Sequence, residues 1–443
     1  MRIVIVGAGE VGSSIAESLA ESHEVVVIDV DRDRVEALTY DVDVLPIEGD
    51  GAALSTLREA DVEHADMLIA STDDDETNIV TCGTAKTVSD AFTIARVKNT
   101  KFLDTWNHAE GALGVDFMVG TNLLTAENVV RVIGLPAAHD VDTFADGLVQ
   151  MAEFEIHEDS PIATQTVREA DRWAELTFAS VLRNDHVVIP TGETRIQTDD
   201  SVIVIGSPES VHEFAGEVDP QADGARDVLI VGGSAIGYHV ARLLEERGIQ
   251  PRLIERDHER ARELAEELPE TTVLESDATD REFLLREHVA EVDVAVATLE
   301  SDEKNLLAGL LTKRLGTDRS VAVVDEGSYV DLFEEVGIDI AVNPREATAE
   351  EITRFTREEH AENVAVIASD RAEVMEIEVG TGSVLVDRPI RESVADLPDG
   401  VVIGAITRNG EYVQPRGDTT IHAGDHVVLF LDADVIEDVT CKL

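Results

Sequence analysis

Three glycines in the run Gly7-Ala8-Gly9-Glu10-Val11-Gly12, followed by Asp29, are the residues of this chain whose types and spacing most directly specify a chemistry. The run follows the strand-like segment 2–6 and opens a helical pattern, with an acid about 20 residues on, which is the context that makes a Gly-x-Gly-x-x-Gly loop informative. Gly7 permits the tight turn, Gly9 lets the backbone come close to a pyrophosphate, and Gly12 lets the helix pack on the strand. A phosphate then rests on the helix N-terminus, where free N–H groups and the helix dipole favour an anion. Asp29 can accept hydrogen bonds from both ribose hydroxyls and repels a 2′-phosphate, which disfavours NADP. ATP, ADP and NAD share the same adenosine diol, so Asp29 does not choose among them. The competing reading, a tight turn in an emptied domain, is outweighed by the joint match of strand, loop, helix and acid.

Further along, Thr72 and Asp73 follow a fourth strand and Arg96 ends a fifth, at the carboxyl edge where open α/β sheets bind ligands. Arg96 is a candidate phosphate partner, or else a surface arginine in a local ion pair. Asp50 is either a ligand-side carboxylate or a turn cap.

The pattern occurs twice. The run from Arg2 to Gly12 lines up with the run from Asp227 to Gly237, and Asp29 with Glu255, Asp50 with Asp277, and Asn78 with Asn305. In the second copy Gly232, Gly233, Ser234, Ala235 and Ile236 form the loop. Ser234 replaces the second glycine, adding a side chain where phosphate must approach, although its hydroxyl can itself donate. Val323 stands where Arg96 stood. Glu255 keeps recognition of the diol plausible while charge pairing to phosphate is reduced, so the second site is expected to have a different preference.

These residues require particular elements to position them. Near-continuous Val/Ile runs alternate with helical patterns at 13–21 and 238–247, which indicates βαβ units and a parallel sheet covered on both faces. After helical stretches at 126–134 and 349–360, each half turns β-rich: 151–156, 178–190 and 201–206, then 375–379, 401–415 with an Asn409-Gly410 hairpin turn, and 426–431. Asp199-Asp200 and Gly424-Asp425 supply the turns before the last strands. The expected fold class is α/β: tandem duplicated Rossmann-like parallel-sheet domains, each followed by a small α+β domain. The expected boundaries are 1–120, a crossover helix 121–138, a small domain 139–222, then 223–345, 346–363 and 364–443.

Composition narrows the function. With 92 acidic against 35 basic residues the formal charge is −57, spread along the chain rather than held in a tail. At molar salt the Debye length falls to about 3 Å and this self-repulsion is screened, so a salt-rich cytoplasm fits. Only six lysines occur (Lys86, Lys98, Lys101, Lys304, Lys313 and Lys442), a pattern similar to that of proteins from halophilic archaea. Nucleic acid and anionic membranes are poor partners for such a surface. Cys82 and Cys441 alone exclude a disulfide framework or a cysteine-rich metal site. The chain opens on a strand with no room for a signal peptide, and no apolar run approaches the roughly 20 residues that span a bilayer, so no membrane insertion is expected.

Catalysis finds little support. His157, His186, His212, His422 and His426 are scattered over strands and turns and read as surface residues, and no Gly-x-x-x-x-Gly-Lys-[Ser/Thr] loop is present. A duplicated nucleotide site beside small β-rich modules suggests a sensor in which ligand biases domain geometry. An NAD-dependent oxidoreductase is the alternative.

The residues from Met1 to Gly12, with Val27-Ile28-Asp29, Ala65-Asp66-Met67-Leu68, Thr72, Glu76-Thr77-Asn78 and Ile94-Ala95-Arg96, resemble the RCK (regulator of potassium conductance) domain, and the small modules resemble its C-terminal subdomain. Duplicated on one chain, the pattern is similar to the peripheral subunits of Trk potassium-uptake systems. The resemblance implies a cytosolic homo-oligomeric ring of RCK domains docked on a membrane potassium-channel subunit resembling TrkH and gated by NAD(H) and ATP/ADP. It places a first nucleotide site on Gly7, Ala8, Gly9, Glu10, Val11, Asp29, Thr72, Asp73 and Arg96, and a second on the loop from Gly232 to Ile236 with Glu255. A soluble RCK regulator of another cation channel or antiporter shares these features.

Overall fold

The structure, a computed structural model, describes all residues except 21, 109–111, 136, 184–185, 220–224, 358–362, 368–371, 399, 437–438 and 440–443. Two compact units emerge. One holds Met1–Val130 with Arg226–Thr353, the other Arg131–Ala225 with Arg354–Leu443, so like pairs with like across the repeat.

The first unit begins with β1 (Arg2–Val6), α1 (Glu10–Ala20), β2 (Glu24–Asp29), α2 (Arg32–Asp41), β3 (Leu45–Glu48), α3 (Leu54–Glu59), β4 (Met67–Ala70), α4 (Asp75–Ala85), β5 (Phe92–Val97), α5 (Thr100–His108), β6 (Phe117–Gly120) and α6 (Thr121–Gly134). The strands form one sheet in the order 3-2-1-4-5-6, parallel throughout. Helices on both faces bury both sides of β1 from Ile3 on and of β4, which is why 3–6 and 67–70 are apolar at every position rather than at alternate ones. Helix α1 turns Val11, Ile15, Ala16 and Leu19 inward at helical spacing. Val11, Ile15 and Leu19 each contribute about 1.5–3 kcal/mol when fully buried, and Ala16 less.

In the second unit the first small domain comprises β7 (Ala138–Phe144), β8 (Val149–Glu155), α7 (Val167–Ala170), β9 (Leu176–Arg183), β10 (His186–Val188), β11 (Ser201–Gly206) and α8 (Pro208–Val218). The order is 10-9-11-8-7, all antiparallel. The turn before β11 places Asp199 in the left-handed region (φ 64°) and tucks Asp200 under the sheet, 1% exposed, where Arg183 grips it with Nε at 2.7 Å and Nη2 at 2.6 Å.

The first unit resumes with β12 (Val228–Val231), α9 (Ala235–Glu246), β13 (Arg252–Glu255), α10 (His258–Glu267), β14 (Thr272–Glu275), α11 (Arg281–Arg286), β15 (Val294–Ala297), α12 (Asp302–Leu315), β16 (Arg319–Val323), α13 (Val330–Glu335), β17 (Ile340–Val342) and α14 (Pro344–Arg357). Its sheet, 14-13-12-15-16-17, reproduces the first. The chain then forms β18 (Asn363–Ile367), β19 (Ala372–Glu378), α15 (Ile390–Ser393), β20 (Val401–Arg408), β21 (Glu411–Val413) and β22 (His426–Asp432), again one antiparallel sheet. Arg408 and buried Asp425 repeat the Arg183–Asp200 fork at 2.7 Å. Asn409 and Gly410 both have positive φ, as a two-residue hairpin turn between twisted strands requires. Among the described residues no helix is long and apolar enough to cross a membrane.

Within the second unit the two small sheets share a core: Phe144, Val149, Met151 and Ile205 of one pack with Ala372, Val374, Val428 and Phe430 of the other. His426 is a correction to the surface reading of the histidines. It is half-buried at this core's edge with Nδ1 3.2 Å from Glu376, which also accepts the Ala145 N–H at 2.8 Å. Its counterpart in the first copy is Ser201, which donates to Glu153 at 2.5 Å.

Asp140 and Glu153 face each other across β7 and β8. Burial pushes the Asp140 carboxyl up to about 7, with the charges of Asp142 and Glu153 adding to the effect. Such a group titrates near 4 when unfolded, so between roughly pH 4 and 7 the folded state holds a proton that the unfolded state has lost. Stability therefore falls as pH rises through that window and stays lower above it. Thermal melts at high KCl should show a higher midpoint at pH 5.5 than at pH 8, and Asp140→Asn should flatten that difference.

Candidate functional site

Local sequence shapes the first loop. Gly7 takes φ +109°, and a Cβ on it would stand 3.0 Å from the Thr72 nitrogen. Leaving β1, the chain turns between β2 and β4 and enters α1 with Gly9 immediately before the helix start. The Asp29 carboxylate braces this loop. One oxygen accepts the Ala8 N–H at 2.6 Å and the other the Asp31 N–H at 2.8 Å. Lone pairs remain on both oxygens for a ribose.

A cleft of about 1020 Å³ opens above the loop. Of the residues singled out from the sequence, Gly7, Ala8, Gly9, Glu10, Val11, Asp29, Asp50, Thr72, Asp73 and Arg96 line it, and Gly12 lies behind in the helix–strand contact. Asp50 serves as a turn cap, accepting the Ala52 N–H at 2.9 Å, while also facing the cleft.

Arg96 overturns the surface alternative. It is 4% exposed, with Nε 3.2 Å from the Thr121 hydroxyl, Nη1 3.4 Å from the Ser71 carbonyl, and Asp73 3.6 Å away. Burial holds its guanidinium below the usual range; Asp73 opposes this and neighbouring Arg345 reinforces it. A buried arginine with one distant carboxylate is a poorly neutralised cation, suited to an incoming anion.

Two features escaped the sequence reading. Asn78, fully buried at the start of α4, ties the ends of two strands together. Its Oδ1 accepts the Thr72 N–H at 2.9 Å and the Thr72 hydroxyl at 2.6 Å, and its Nδ2 donates to the carbonyls of Thr72 and Arg96, each at 2.9 Å. Its signals in the sequence were the recurrence of Asn at 78 and 305 and its place in the resembling run Glu76-Thr77-Asn78. The second feature is that Arg345 and Glu326, from the second Rossmann copy, line the first cleft, and Arg345 forms an ion pair with Glu10. Close by, the Thr121 and Thr348 hydroxyls lie 3.2 Å apart.

The second cleft, about 880 Å³, is lined by Gly232, Gly233, Ser234, Ala235 and Glu255, whereas Ile236 is not part of its wall. Glu255 repeats the brace, accepting Gly233 N–H at 2.9 Å and Asp257 N–H at 2.7 Å. Asn305 repeats the strand tie with Leu299 and Val323. The Ser234 hydroxyl accepts the Gly237 N–H at 3.2 Å, so it caps α9 at the position that Gly9 occupies in the first copy. The cation lost with Val323 is replaced elsewhere in the wall, because Arg256 and Lys304, which have no basic counterparts in the first cleft, line this one.

Two doubly wound domains, each with a glycine turn braced by the acid ending its second strand, define a protein with a tandem Rossmann-type nucleotide fold. The solved GsuK RCK domain superposes with a TM-score of 0.62 at 18% identity, covering 99% of this chain and 95% of that one. The GsuK channel solved bound to NAD gives 0.60 at 19% identity, covering 100% and 78%. The TrkA-N domain model matches residues 3–119 and 228–344, and the TrkA-C domain model 151–218 and 374–441. A relative from Archaeoglobus fulgidus, named Trk system potassium uptake protein TrkA homolog, is 38% identical over 99% of each chain. The chain belongs to the TrkA family, whose members are proteins of Trk potassium-uptake systems.

Proposed function

We propose that the protein is the nucleotide-sensing regulatory subunit of a Trk-type potassium-uptake system, binding NAD(H), ATP or ADP and thereby biasing a membrane channel subunit resembling TrkH. It acts from the cytoplasmic side as a homo-oligomeric ring and catalyses no reaction of its own. The division into segments 1–120, 121–138, 139–222, 223–345, 346–363 and 364–443 is the working frame of this reading. The observation that carries it is the shared wall of the first cleft. A ligand braced by Asp29 and the Gly7 loop on one copy meets Arg345 of the other, so occupancy competes with the Arg345–Glu10 pair and changes how the copies hold each other. Differential contact of this kind is what lets a ligand shift a conformational equilibrium.

Calorimetric titration at high KCl with NADH, NAD, ATP, ADP and NADPH tests the reading. Asp29→Ala should weaken binding in the first cleft by about 10- to 100-fold, as loss of a charge-assisted hydrogen bond does. Glu255→Ala should spare that cleft, and NADPH should bind it less tightly than NADH. In reconstituted vesicles, potassium flux through the partner channel should respond to the protein together with nucleotide. Flux indifferent to both would sink the proposal, and sustained nicotinamide turnover would replace it with an oxidoreductase.

A further inference from the structure

The copy that lost the buried arginine carries cations elsewhere in its cleft. Matched braces and strand ties fix the register between the copies: Asp29 with Glu255, and Asn78 with Asn305. One step after the brace the first cleft presents Val30 and the second Arg256; one step before the tie the first presents Thr77 and the second Lys304. Both differences replace a neutral side chain with a cation on the cleft wall. Both fall in the copy where Val323 has removed the arginine.

The chain has little positive charge to spare, and almost all of its described lysines are committed. Lys86 pairs with Asp116 at 2.6 Å, Lys98 with Asp73 at 2.9 Å and Lys313 with Asp339 at 2.7 Å, while Lys101 lies over the Phe102 ring. Lys304 and Arg256 have no ion-pair partner among the described residues, although the chain carries 92 carboxylates. Their charges act on Asp277, whose carboxyl is held low first by the Thr279 hydroxyl and N–H, with Arg256 and Lys304 adding to it. At molar salt, where screening acts over about 3 Å, such cations matter only to a group in contact with them.

We propose that the second cleft is a phosphate-directed nucleotide site, in which Lys304 and Arg256 supply the counter-charge that Arg96 supplies in the first and select adenosine di- or triphosphate over a dinucleotide. A terminal phosphate presents charge that the esterified pyrophosphate of NAD lacks, and a lysine meets it as a mobile point charge. Lys304 sits on the third residue of α12, at the carboxyl edge of the sheet where the phosphate end lies, and Arg256 directly follows the ribose acid. The Ser234 hydroxyl, an acceptor from Gly237, keeps its own proton for a phosphate oxygen.

This selectivity rests on the nucleotide reading of the clefts, and the test separates the two. Asp29→Ala, with its first cleft weakened, is titrated with ADP and with NADH in high KCl, alone and combined with Lys304→Thr, Arg256→Val or both. ADP affinity should fall about tenfold for each cation removed and NADH affinity should barely change. Lys304→Arg should retain ADP binding, and melting midpoints should not move because both side chains are exposed. Unchanged ADP affinity in the double variant, or an equal loss for NADH, overturns the proposal and leaves nucleotide binding as such intact. Binding of no nucleotide by the wild-type chain overturns the nucleotide reading itself, and this proposal with it.

Discussion

Gly12→Ala is expected to abolish nucleotide binding in the first cleft and to lower the stability of the chain by about 3 kcal/mol or more, the upper end of what overpacking costs. A Cβ on Gly12 stands 1.8 Å from the Gly7 carbonyl oxygen and 2.9 Å from its carbon. Those atoms are backbone and cannot rotate away. Helix α1 must slide off the sheet, and the N–H groups at its start leave the cleft with it. Gly237→Ala should do the same to the second copy, where the Cβ meets Gly232 O at 2.2 Å. Gly9→Ala isolates the ligand effect: its Cβ has nothing nearer than Arg34 Nη1 at 3.7 Å, so folding should be spared and affinity lost. Denaturation curves and calorimetry on the three variants separate the outcomes. Wild-type affinity in Gly12→Ala would remove the loop from the site.

Asn78→Ala should cost about 3 kcal/mol as well, because it strips partners from the Thr72 N–H and the Thr72 and Arg96 carbonyls inside the fold. Asn78→Leu keeps most of the volume and still loses the amide. It should be destabilised almost as much, which distinguishes the polar tie from a cavity. The consequence for the site is indirect but large. Without the tie the ends of β4 and β5 are free to part, and Thr72, Asp73 and Arg96 no longer hold their places around the phosphate. Nucleotide affinity should fall by at least about tenfold, measured beside Asn305→Ala as the matched change in the second copy.

Much of the architecture was legible along the chain. Parallel strands buried on both faces must be apolar at every buried position, so 3–6 and 228–231 announced themselves, and the Asn409-Gly410 turn followed from the positive φ it needs. Strand β7 was not legible, because His139, Asp140 and Asp142 break its apolar alternation, and its pairing with β8 sets Asp140 opposite Glu153 at the cost of burying a carboxyl, which accepts the Val141 N–H at 2.8 Å. Helices α6 and α14 begin at Thr121 and Pro344, against expected crossover helices starting at 121 and 346, although the apolar periodicity at 126–134 and 349–360 starts several residues later.

By itself the sequence determined the duplication, the glycine turns and the acids that brace them, because each of these rests on residues close together in the chain. The tertiary structure decided what lies around them. It buried Arg96, made Asn78 a tie between strand ends, and brought Arg345 to Glu10 across 335 residues. Backbone turns obey local stereochemistry, whereas burial, hydrogen-bond satisfaction and ion pairing depend on which distant segments meet, and that is fixed only when the two Rossmann copies pack into one unit.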